Sequence, residues 1–453
     1  MTASHAGAAA PILTRSRPAA PVRIVHVGIG AFHRAHQAWY TAHATDADQW
    51  GIAGFTGRSP EIADQLSAQD SVYTLVERSA GEDRFETIES IVEAHHGDDI
   101  ARLIELICRP EVAIVTLTVT EAGYVLGADG YLRIHDPLIV ADLAAVRASR
   151  DAGSTPTPRS AVARLVVALR ARHDAGAPAV AVISCDNLPD NGRVLARACH
   201  AFADQLDPGA SAWLDEVAAF VSTSVDRITP RTTPEDQATV RIATGHTDNV
   251  PVVTEPFSDW VLEGDFPSGR PAWESAGARF VTDLSPWELR KLRLLNGAHT
   301  LMAALGGLYG HETVDSAIRD PRCRDLVTAW WDEAGRDLPD VLDLATYRTA
   351  LLARFENPRI AHRLAQIGQD ARSKIRIRIV PTVIRELDEG RDPHAGLTAI
   401  AALLVLDGVP ADEQSITAAL AEISPTLAGR PEVVSALIRI AHHLPDPSTI
   451  GAS

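Results

Sequence analysis

The sequence predicts an α/β protein with a mostly parallel sheet in its N-terminal part and a mostly helical C-terminal domain. Apolar, β-branched runs alternate with helical patterns up to about Asp283, which is typical of βαβ units. The first apolar run leads into a glycine turn, where ligands of parallel sheets bind. After about Ser285 the strand pattern fades and helical periodicity continues to the end of the chain.

The expected strands of the N-terminal part are short and apolar. They are Val22–Val27, Trp50–Phe55, Val72–Glu77, Glu111–Thr120 and Ala179–Ser184. Between them we expect the helices Ala31–His43, Asp98–Cys108 and Ser160–Asp174. The C-terminal helices are expected at Ser285–Leu305, Pro321–Ala334, Leu344–Phe355, Arg359–Ala371, Val380–Leu387, Leu397–Leu406, Asp412–Leu420 and Pro431–His443.

A chain of 453 residues is too long for one ordinary domain. We expect a disordered tail over 1–21, a nucleotide-binding domain over 22–283 and a helical domain over 284–453. The alternative for the tail, a targeting peptide, is disfavoured because Pro11 interrupts its short apolar stretch. With no run of about 18–20 apolar residues to span a bilayer, the expected location is the cytoplasm.

Charge and cysteine content exclude several classes of function. The formal net charge is −17 and no block of Lys and Arg occurs, so neither nucleic acid nor an anionic membrane is an expected partner. The four cysteines have no ligand-like spacing, which predicts neither a disulfide framework nor a zinc site. We therefore expect no metal.

The turn Gly28-Ile29-Gly30-Ala31-Phe32-His33 follows the first strand and opens a helix. Two glycines allow a tight turn and let the backbone approach a pyrophosphate. His33 stands at the third glycine position, so the turn favours a dinucleotide site without completing the motif. The second strand is followed by Arg58 rather than an acid. Arg58 either faces the 2′-phosphate of NADP or is a solvated cation, and we favour the latter.

The segment from Ser285 onwards carries a concentration of polar groups. If it is a regular α-helix, Glu288, Asn296 and His299 lie within an arc of about 140° from Lys291, interleaved with leucines. Each residue alone has an ordinary alternative: a solvated lysine, a helix cap, a core histidine or a capping-box glutamate. Together they indicate alcohol oxidation, in which a buried lysine accepts the hydroxyl proton and amides stabilise the alkoxide.

Asn187 is the expected second amide, because Ser184-Cys185-Asp186-Asn187 follows a predicted strand at the edge where ligands gather. No Tyr-x-x-x-Lys motif occurs, which disfavours the short-chain dehydrogenases. A non-catalytic nucleotide sensor is the alternative from another class. The set of Lys291, Asn296 and His299 argues against it, since a sensor needs no base.

Six segments resemble the long-chain polyol dehydrogenases, the family of mannitol 2-dehydrogenase, arabinitol dehydrogenase and fructuronate reductase. They lie in the order of that family over roughly residues 22 to 390: Gly28–Tyr40, Thr116–Tyr124, Ser184–Gly192, Val225–Pro230, Glu255–Leu262 and Lys291–His299.

The resemblance implies a Rossmann-type N-terminal domain, a helical C-terminal domain and an active site between them. It implies NAD as cofactor, with NADP possible, and a small polyol, ketose or sugar acid as substrate, for a monomer or small homo-oligomer. It assigns Lys291 as general base, Asn187 and Asn296 as the oxyanion-stabilising pair, His299 as substrate-positioning residue and Glu288 as proton relay. Cofactor contacts are expected from Gly28, Gly30, Phe32, His33, Arg34, Thr118 and Asp226, and substrate contacts from Arg227 and Lys374.

One departure from the family concerns the substrate. After Lys374 this chain reads Ile375-Arg376-Ile377-Arg378-Ile379, whereas relatives commonly have proline and few cations there. An arginine pairing with a carboxylate would favour D-mannonate and D-fructuronate over D-mannitol and D-fructose. In a helix Arg376 and Arg378 diverge by about 200° and cannot form a joint clamp. We therefore expect D-mannitol and D-fructose as the leading pair and the sugar acids as the alternative.

Overall fold

The computed structural model describes residues 10–57, 59–207, 209, 211–360 and 362–446. The chain divides into two compact units, Met1–Leu284 and Ser285–Ser453. The first is a Rossmann-type α/β domain and the second is helical, as the sequence predicts. No helix among these residues is both long enough and apolar enough to cross a membrane.

The first unit is built on an eight-stranded sheet with the order β11-β10-β8-β7-β6-β1-β2-β5. Its pairs are parallel, except that β10 runs antiparallel to β8. A second sheet has the order β4-β3-β9. The strands are β1 Val22–Val27, β2 Gly51–Phe55, β3 Tyr73–Arg78, β4 Asp83–Ile88, β5 Ile91–His95, β6 Ile114–Leu117, β7 Val180–Ser184, β8 Ala218–Asp226, β9 Val252–Thr254, β10 Asp259–Glu263 and β11 Arg279–Val281.

Helices cover both faces of the large sheet. They are α1 Ala31–Ala35, α2 Gln37–His43, α3 Glu61–Ser67, α4 Ile100–Ile107, α5 Pro137–Ala152, α6 Ala161–Asp174, α7 Asn191–Leu206, α8 Trp213–Val217 and α9 Pro234–Thr244. Apolar residues of α4, α6 and α7 form one core with the sheet, and residues of α1 and α2 join a second core containing Trp260 and Trp273. Parallel strands buried on both faces explain the continuous apolar runs in the sequence.

Two expected elements of this unit, one helix and one strand, differ from the structure. The helix expected over Ala31–His43 is interrupted at His36, whose backbone (φ −121°, ψ −89°) departs from helical values. The expected strand Glu111–Thr120 is shortened to Ile114–Leu117. Ala113 and Thr118, which flank β6, still bond to Arg23, Ala181 and Val27 of the neighbouring strands, and the rest of the expected strand lies in the connecting segments, which apolar patterning alone does not reveal.

The tail expected to be disordered is ordered over the part that the structure describes. Leu13 is buried and its N–H donates to the Thr247 carbonyl. The Arg15 guanidinium donates to the carbonyls of Glu89 at 2.6 Å and Ile91 at 2.5 Å. Residues 10–21 are therefore fixed to the sheet by backbone acceptors that lie far away in sequence, which composition cannot show. Residues 1–9 lie outside the described residues.

The second unit contains helices α10 Ser285–Arg290, α11 Gly297–Leu308, α12 Val314–Arg319, α13 Pro321–Gly335, α14 Leu344–Phe355, α15 Leu364–Ile367, α16 Ala371–Arg378, α17 Val380–Asp388, α18 His394–Leu406, α19 Glu413–Ile423, α20 Pro425–Ala428 and α21 Pro431–Ala441. Most agree with the expected helices to within a few residues. The expected helix Arg359–Ala371 is wrong, since among its described residues only α15 and Ala371, the first residue of α16, are helical. Between α10 and α11 the segment Lys291–Asn296 forms a π-helix.

Candidate active site

The glycine turn after β1 requires its first glycine. Gly28 has φ +108°, and a Cβ atom there would lie 2.8 Å from the Thr118 Oγ1 and 3.0 Å from the Thr118 carbonyl oxygen. The N–H groups of Gly28 and Ile29 donate to the Phe55 carbonyl at the end of β2. Thr118 donates its hydroxyl to the Gly28 carbonyl at 2.7 Å. This predicted cofactor residue thus fixes the turn from the end of β6.

At Gly30, by contrast, neither the backbone conformation nor the surrounding protein requires a glycine. Its φ is −82°, and a Cβ atom there would meet only the Gly28 carbonyl oxygen, at 3.7 Å. The absent side chain leaves open space beside the backbone at the carboxyl end of β1. A dinucleotide pyrophosphate needs such an approach. The turn therefore fits a nicotinamide dinucleotide.

His33 occupies the position of the third glycine and is fully buried against the sheet. Its ring stacks on His26 of β1, with centroids 3.3 Å apart. His26 is linked to Thr116 and Thr118 at 2.7 and 3.1 Å. Burial lowers the pKa of His26 to about 3 and that of His33 well below its usual value. Both rings are therefore neutral packing groups beneath the turn.

Two arginines predicted to contact ligands point into the protein. Arg34 donates to the Val250 carbonyl at 2.5 Å and to the Gly30 carbonyl at 3.4 Å. Arg227, whose side chain is 0% exposed, donates to the carbonyls of Ala35 and Glu255 and to the Glu77 carboxylate. Both arginines hold the surrounding backbone, and the ligand contacts expected from them stay predictions. Half-buried Phe32 stacks on His36.

The loop after β7 carries Asn187 and is held by residues that the sequence prediction did not single out. The Asp186 carboxylate accepts hydrogen bonds from the Tyr124 hydroxyl and the Ser184 hydroxyl, both at 2.6 Å, and from the Leu188 N–H at 2.8 Å. Burial and the neighbouring Asp186 charge raise the pKa of Tyr124 well above its usual value. Tyr124 therefore stays protonated and donates to Asp186.

Asn191 connects the same loop to β8. Its side-chain amide donates to the carbonyls of Asp186 and Thr223, and its side-chain oxygen accepts from the Thr223 N–H. Asp226 ends β8, which runs parallel to β7, so it lies at the same edge of the sheet as the Asn187 loop. Tyr124 and Asn191 lie in segments that resemble the family, and this was the available signal for their importance. Their hydrogen bonds could not be predicted because they depend on tertiary contacts. Arg58 lies outside the described residues.

In the second unit, the predicted catalytic helix is not a regular α-helix. Lys291–Asn296 is π-helical, with hydrogen bonds between residues five apart. Residues five apart then become neighbours along the helix surface, as residues four apart are in an α-helix. The expected separation of about 140° between Lys291 and Asn296 is therefore wrong. The π-helical turn brings these two positions towards one side of the helix, with Glu288 on the preceding turn.

His299 lies on the next turn, in α11, and is buried between rings. Its ring contacts Phe355 and, edge to face, His362, with centroids 5.0 and 4.8 Å apart. Burial, followed by the charges of His362, Arg354 and Arg378, lowers the pKa of His299 well below its usual value. Its Nε2 atom has no hydrogen-bond partner among the described residues. A neutral imidazole with an unused nitrogen is suited to a substrate hydroxyl.

Lys374 and Arg378 lie on α16. The Lys374 Nζ donates to the Ile367 carbonyl at 2.9 Å, and burial and the Arg378 charge lower its pKa. Arg378 Nη1 lies 3.1 Å from the Thr300 Oγ1 and 3.4 Å from the Asn296 carbonyl oxygen. The sequence prediction named Lys374 as a substrate residue and left Arg378 undecided. The contact of Arg378 on α16 with Asn296 and Thr300 on another helix appears only in the structure.

These features define a two-unit dehydrogenase with a Rossmann-type nucleotide-binding unit and a helical unit that carries a lysine–asparagine–histidine set. Residues 22–275 match the family described as the mannitol dehydrogenase Rossmann domain, and residues 283–442 match the mannitol dehydrogenase C-terminal domain. The chain belongs to the mannitol dehydrogenase family. It is an NAD(P)-dependent oxidoreductase acting on a secondary alcohol.

The names of individual relatives include enzymes of sugar acids and of polyols. The chain is 39% identical to a D-mannonate oxidoreductase of Escherichia coli K12, over 81% of this chain and 76% of that protein. It is 36% identical to a mannitol 2-dehydrogenase of Phaeosphaeria nodorum, over 84% and 67%. The solved mannitol 2-dehydrogenase of Pseudomonas fluorescens, a ternary complex with NAD and D-mannitol, superposes with a TM-score of 0.76 at 32% identity, covering 93% of this chain and 92% of that one.

Proposed function

We propose that this chain catalyses the reversible oxidation of a secondary alcohol on a six-carbon polyol or sugar acid, with Lys291 as the base. The observation that carries the proposal is the π-helical turn Lys291–Asn296, which places the lysine and the amide on one side of a helix that continues to His299. This combination of a base, an amide donor and a neutral imidazole suits alcohol chemistry.

Oxidation of an alcohol carbon removes a hydride from carbon and a proton from the hydroxyl group. The nicotinamide cofactor, when bound, supplies the hydride acceptor. Lys291, in its neutral form, takes the hydroxyl proton at Nζ. The Asn296 amide donates to the oxygen as negative charge develops on it, and His299 positions a hydroxyl of the substrate through its unused nitrogen. In ketone reduction the same groups act in reverse, and Lys291 returns the proton.

Two substrate pairs fit this reaction. D-mannitol and D-fructose are the pair expected from the sequence, and a mannitol 2-dehydrogenase is among the relatives. D-mannonate and D-fructuronate are the alternative, supported by the similarity to a D-mannonate oxidoreductase. The two pairs differ at one end of the molecule, where a hydroxymethyl group is replaced by a carboxylate. Roles for Asn187, Asp226 and Glu288 in the same reaction remain part of this proposal.

The proposal is tested by supplying the purified protein with D-fructose or D-fructuronate and either NADH or NADPH. We expect oxidation of the reduced cofactor with at least one ketone, at a kcat/KM of about 10⁴ M⁻¹s⁻¹ or more. Cofactor binding measured by fluorescence provides the control for an intact nucleotide site. If the cofactor binds and neither these ketones nor a wider panel of ketoses and keto acids is reduced, the sensor alternative replaces this proposal.

A further inference from the structure

The guanidinium group of Arg378, beside the helix that carries Asn296, uses only one of its nitrogen atoms for hydrogen bonds within the described part of the protein. Its Nη1 atom is engaged with the Asn296 carbonyl and the Thr300 hydroxyl. Its Nε and Nη2 atoms have no partner among the residues that the structure describes. These two nitrogens form a planar fork that matches the two oxygens of a carboxylate. Arg378 is half-buried, so an anion held there would be partly shielded from water.

Lys374 lies one helical turn before Arg378 on the same face of α16, since residues four apart are neighbours on a helix. Burial and, after it, the charge of Arg378 lower the pKa of Lys374, as this helical spacing leads one to expect. Like charges at this spacing destabilise a helix. Within the described part of the chain neither forms an ion pair with a carboxylate. An anion between them would remove this repulsion.

The other arginines of α16 are engaged differently. Arg372 pairs with the carboxylates of Asp407 and Glu422. Arg376 is exposed and donates to the carbonyls of Glu422 and Ile423 on α19. The helix thus turns Arg376 away and Arg378 towards the Asn296 segment, as their separation of about 200° requires. The chain has a net charge of −17. In such a chain, a pair of cations without a carboxylate partner indicates a binding site for an external anion.

We propose that Arg378, with Lys374 beside it, binds the carboxylate of a sugar acid, and that the enzyme prefers a hexuronic keto acid to the neutral ketose. This inference rests on the proposed function and names the substrate class for the same site. The sequence-based expectation of D-fructose considered only Arg376 and Arg378 as a clamp. The helix separates those two as expected, but it pairs Arg378 with Lys374 instead.

The test compares D-fructuronate with D-fructose as substrates for the wild type and for Arg378→Met. Arg376→Met is the matched control, because it removes the same group from the opposite face of the same helix. In the wild type we expect kcat/KM for D-fructuronate to exceed that for D-fructose at least tenfold. Arg378→Met should raise the KM for D-fructuronate about 10- to 100-fold, the range for losing a charge-assisted pair. It should change the KM for D-fructose less than about threefold.

Arg376→Met should leave both KM values close to those of the wild type. Equal effects of Arg378→Met on the two substrates, or equal effects of the two variants on D-fructuronate, would overturn the inference. If Arg378→Met is inactive with both substrates, Arg378→Lys decides: a loss confined to D-fructuronate supports a carboxylate site, and equal losses reject it. A wild type that reduces D-fructose but not D-fructuronate refutes this inference alone. A wild type that reduces no ketone refutes the proposed function and this inference with it.

Discussion

His26 and His33 stack with their ring planes only 8° apart and both rings fully buried. In the usual dinucleotide motif a third glycine permits close packing between the first strand and the following helix. Here two neutral imidazoles fill that contact. The glycine turn is therefore intact, and the two rings provide the packing between strand and helix that the third glycine would otherwise allow. The absence of the third glycine does not argue against a nucleotide site.

The two remaining glycines should respond differently to alanine. Gly28→Ala forces a side chain into the left-handed region and against Thr118, so we expect a loss of about 1–3 kcal/mol in unfolding free energy. Gly30→Ala meets no such obstacle and should leave the melting temperature nearly unchanged while weakening cofactor binding at least tenfold. Denaturant unfolding and fluorescence titration measure the two effects. A destabilised Gly30→Ala variant would contradict the assignment of this glycine to the ligand.

Lys291→Ala should abolish most of the turnover while leaving the nucleotide site intact. General base catalysis contributes typically about 10²–10⁴-fold, so kcat should fall by at least the lower figure. Lys291 belongs to the second unit and the glycine turn to the first, so the dissociation constant of the reduced cofactor should change little. Lys291→Met, which keeps much of the side-chain volume, controls for packing. Normal turnover in either variant would reject Lys291 as the base.

Much of the fold was predictable because its strands are buried on both faces. Such strands are continuous apolar runs, as in β1 and β7. Strands with polar or mixed patterns were not predicted, for example β4 (DRFETI) and β8 (AAFVSTSVD). The position of β4 is fixed by the hairpin that it forms with β3, and that of β8 by pairing with β7 and β10, which are distant in the chain. The anchoring of residues 10–21 was missed for the same reason.

Activity should not depend on a metal ion. Among the described residues, the close group of potential ligands is His311, Asp320 and Cys323. Asp320 already accepts hydrogen bonds from His311 and from Arg322, and burial raises the pKa of the Cys323 thiol to about 12. A protonated thiol is a poor ligand. Dialysis against a chelator should therefore leave turnover unchanged, and restoration of a lost activity by added zinc would contradict this expectation.

The ordered N-terminal segment should contribute to stability through Arg15. Arg15→Ala removes hydrogen bonds to the carbonyls of Asp70, Glu89 and Ile91. We expect a loss of about 1–3 kcal/mol in unfolding free energy, measured by urea denaturation. Arg17 is exposed and makes no hydrogen bond with any residue that the structure describes, so Arg17→Ala serves as the control. Equal stabilities of the two variants would show that the segment is held by other contacts.

The catalytic set itself was only partly predictable. Residue types and order are what single out Lys291, Asn296 and His299 as the proposed catalytic residues, because their chemistry is recognisable in any conformation. Their relative directions were not predictable, since an angle of 100° per residue assumes regular α-helical bonding. Nor could the sequence separate Arg227 from Arg378. One is enclosed by carbonyls and a carboxylate and the other has an open fork, and that difference arises from tertiary contacts.

The π-helical turn means that the winding of this part of the chain must match its length. A π-helical turn equals an α-helix that has gained one residue. Removing a single residue between Lys291 and Asn296, for example Leu294, would let the segment relax to regular α-helical winding. Asn296 would then stand four residues after Lys291, about 40° from it around the helix axis, so the amide would stay on the same side as the lysine. At its full length, by contrast, the same segment wound as a regular α-helix would turn the amide about 140° away from the lysine, with all three polar groups chemically unaltered.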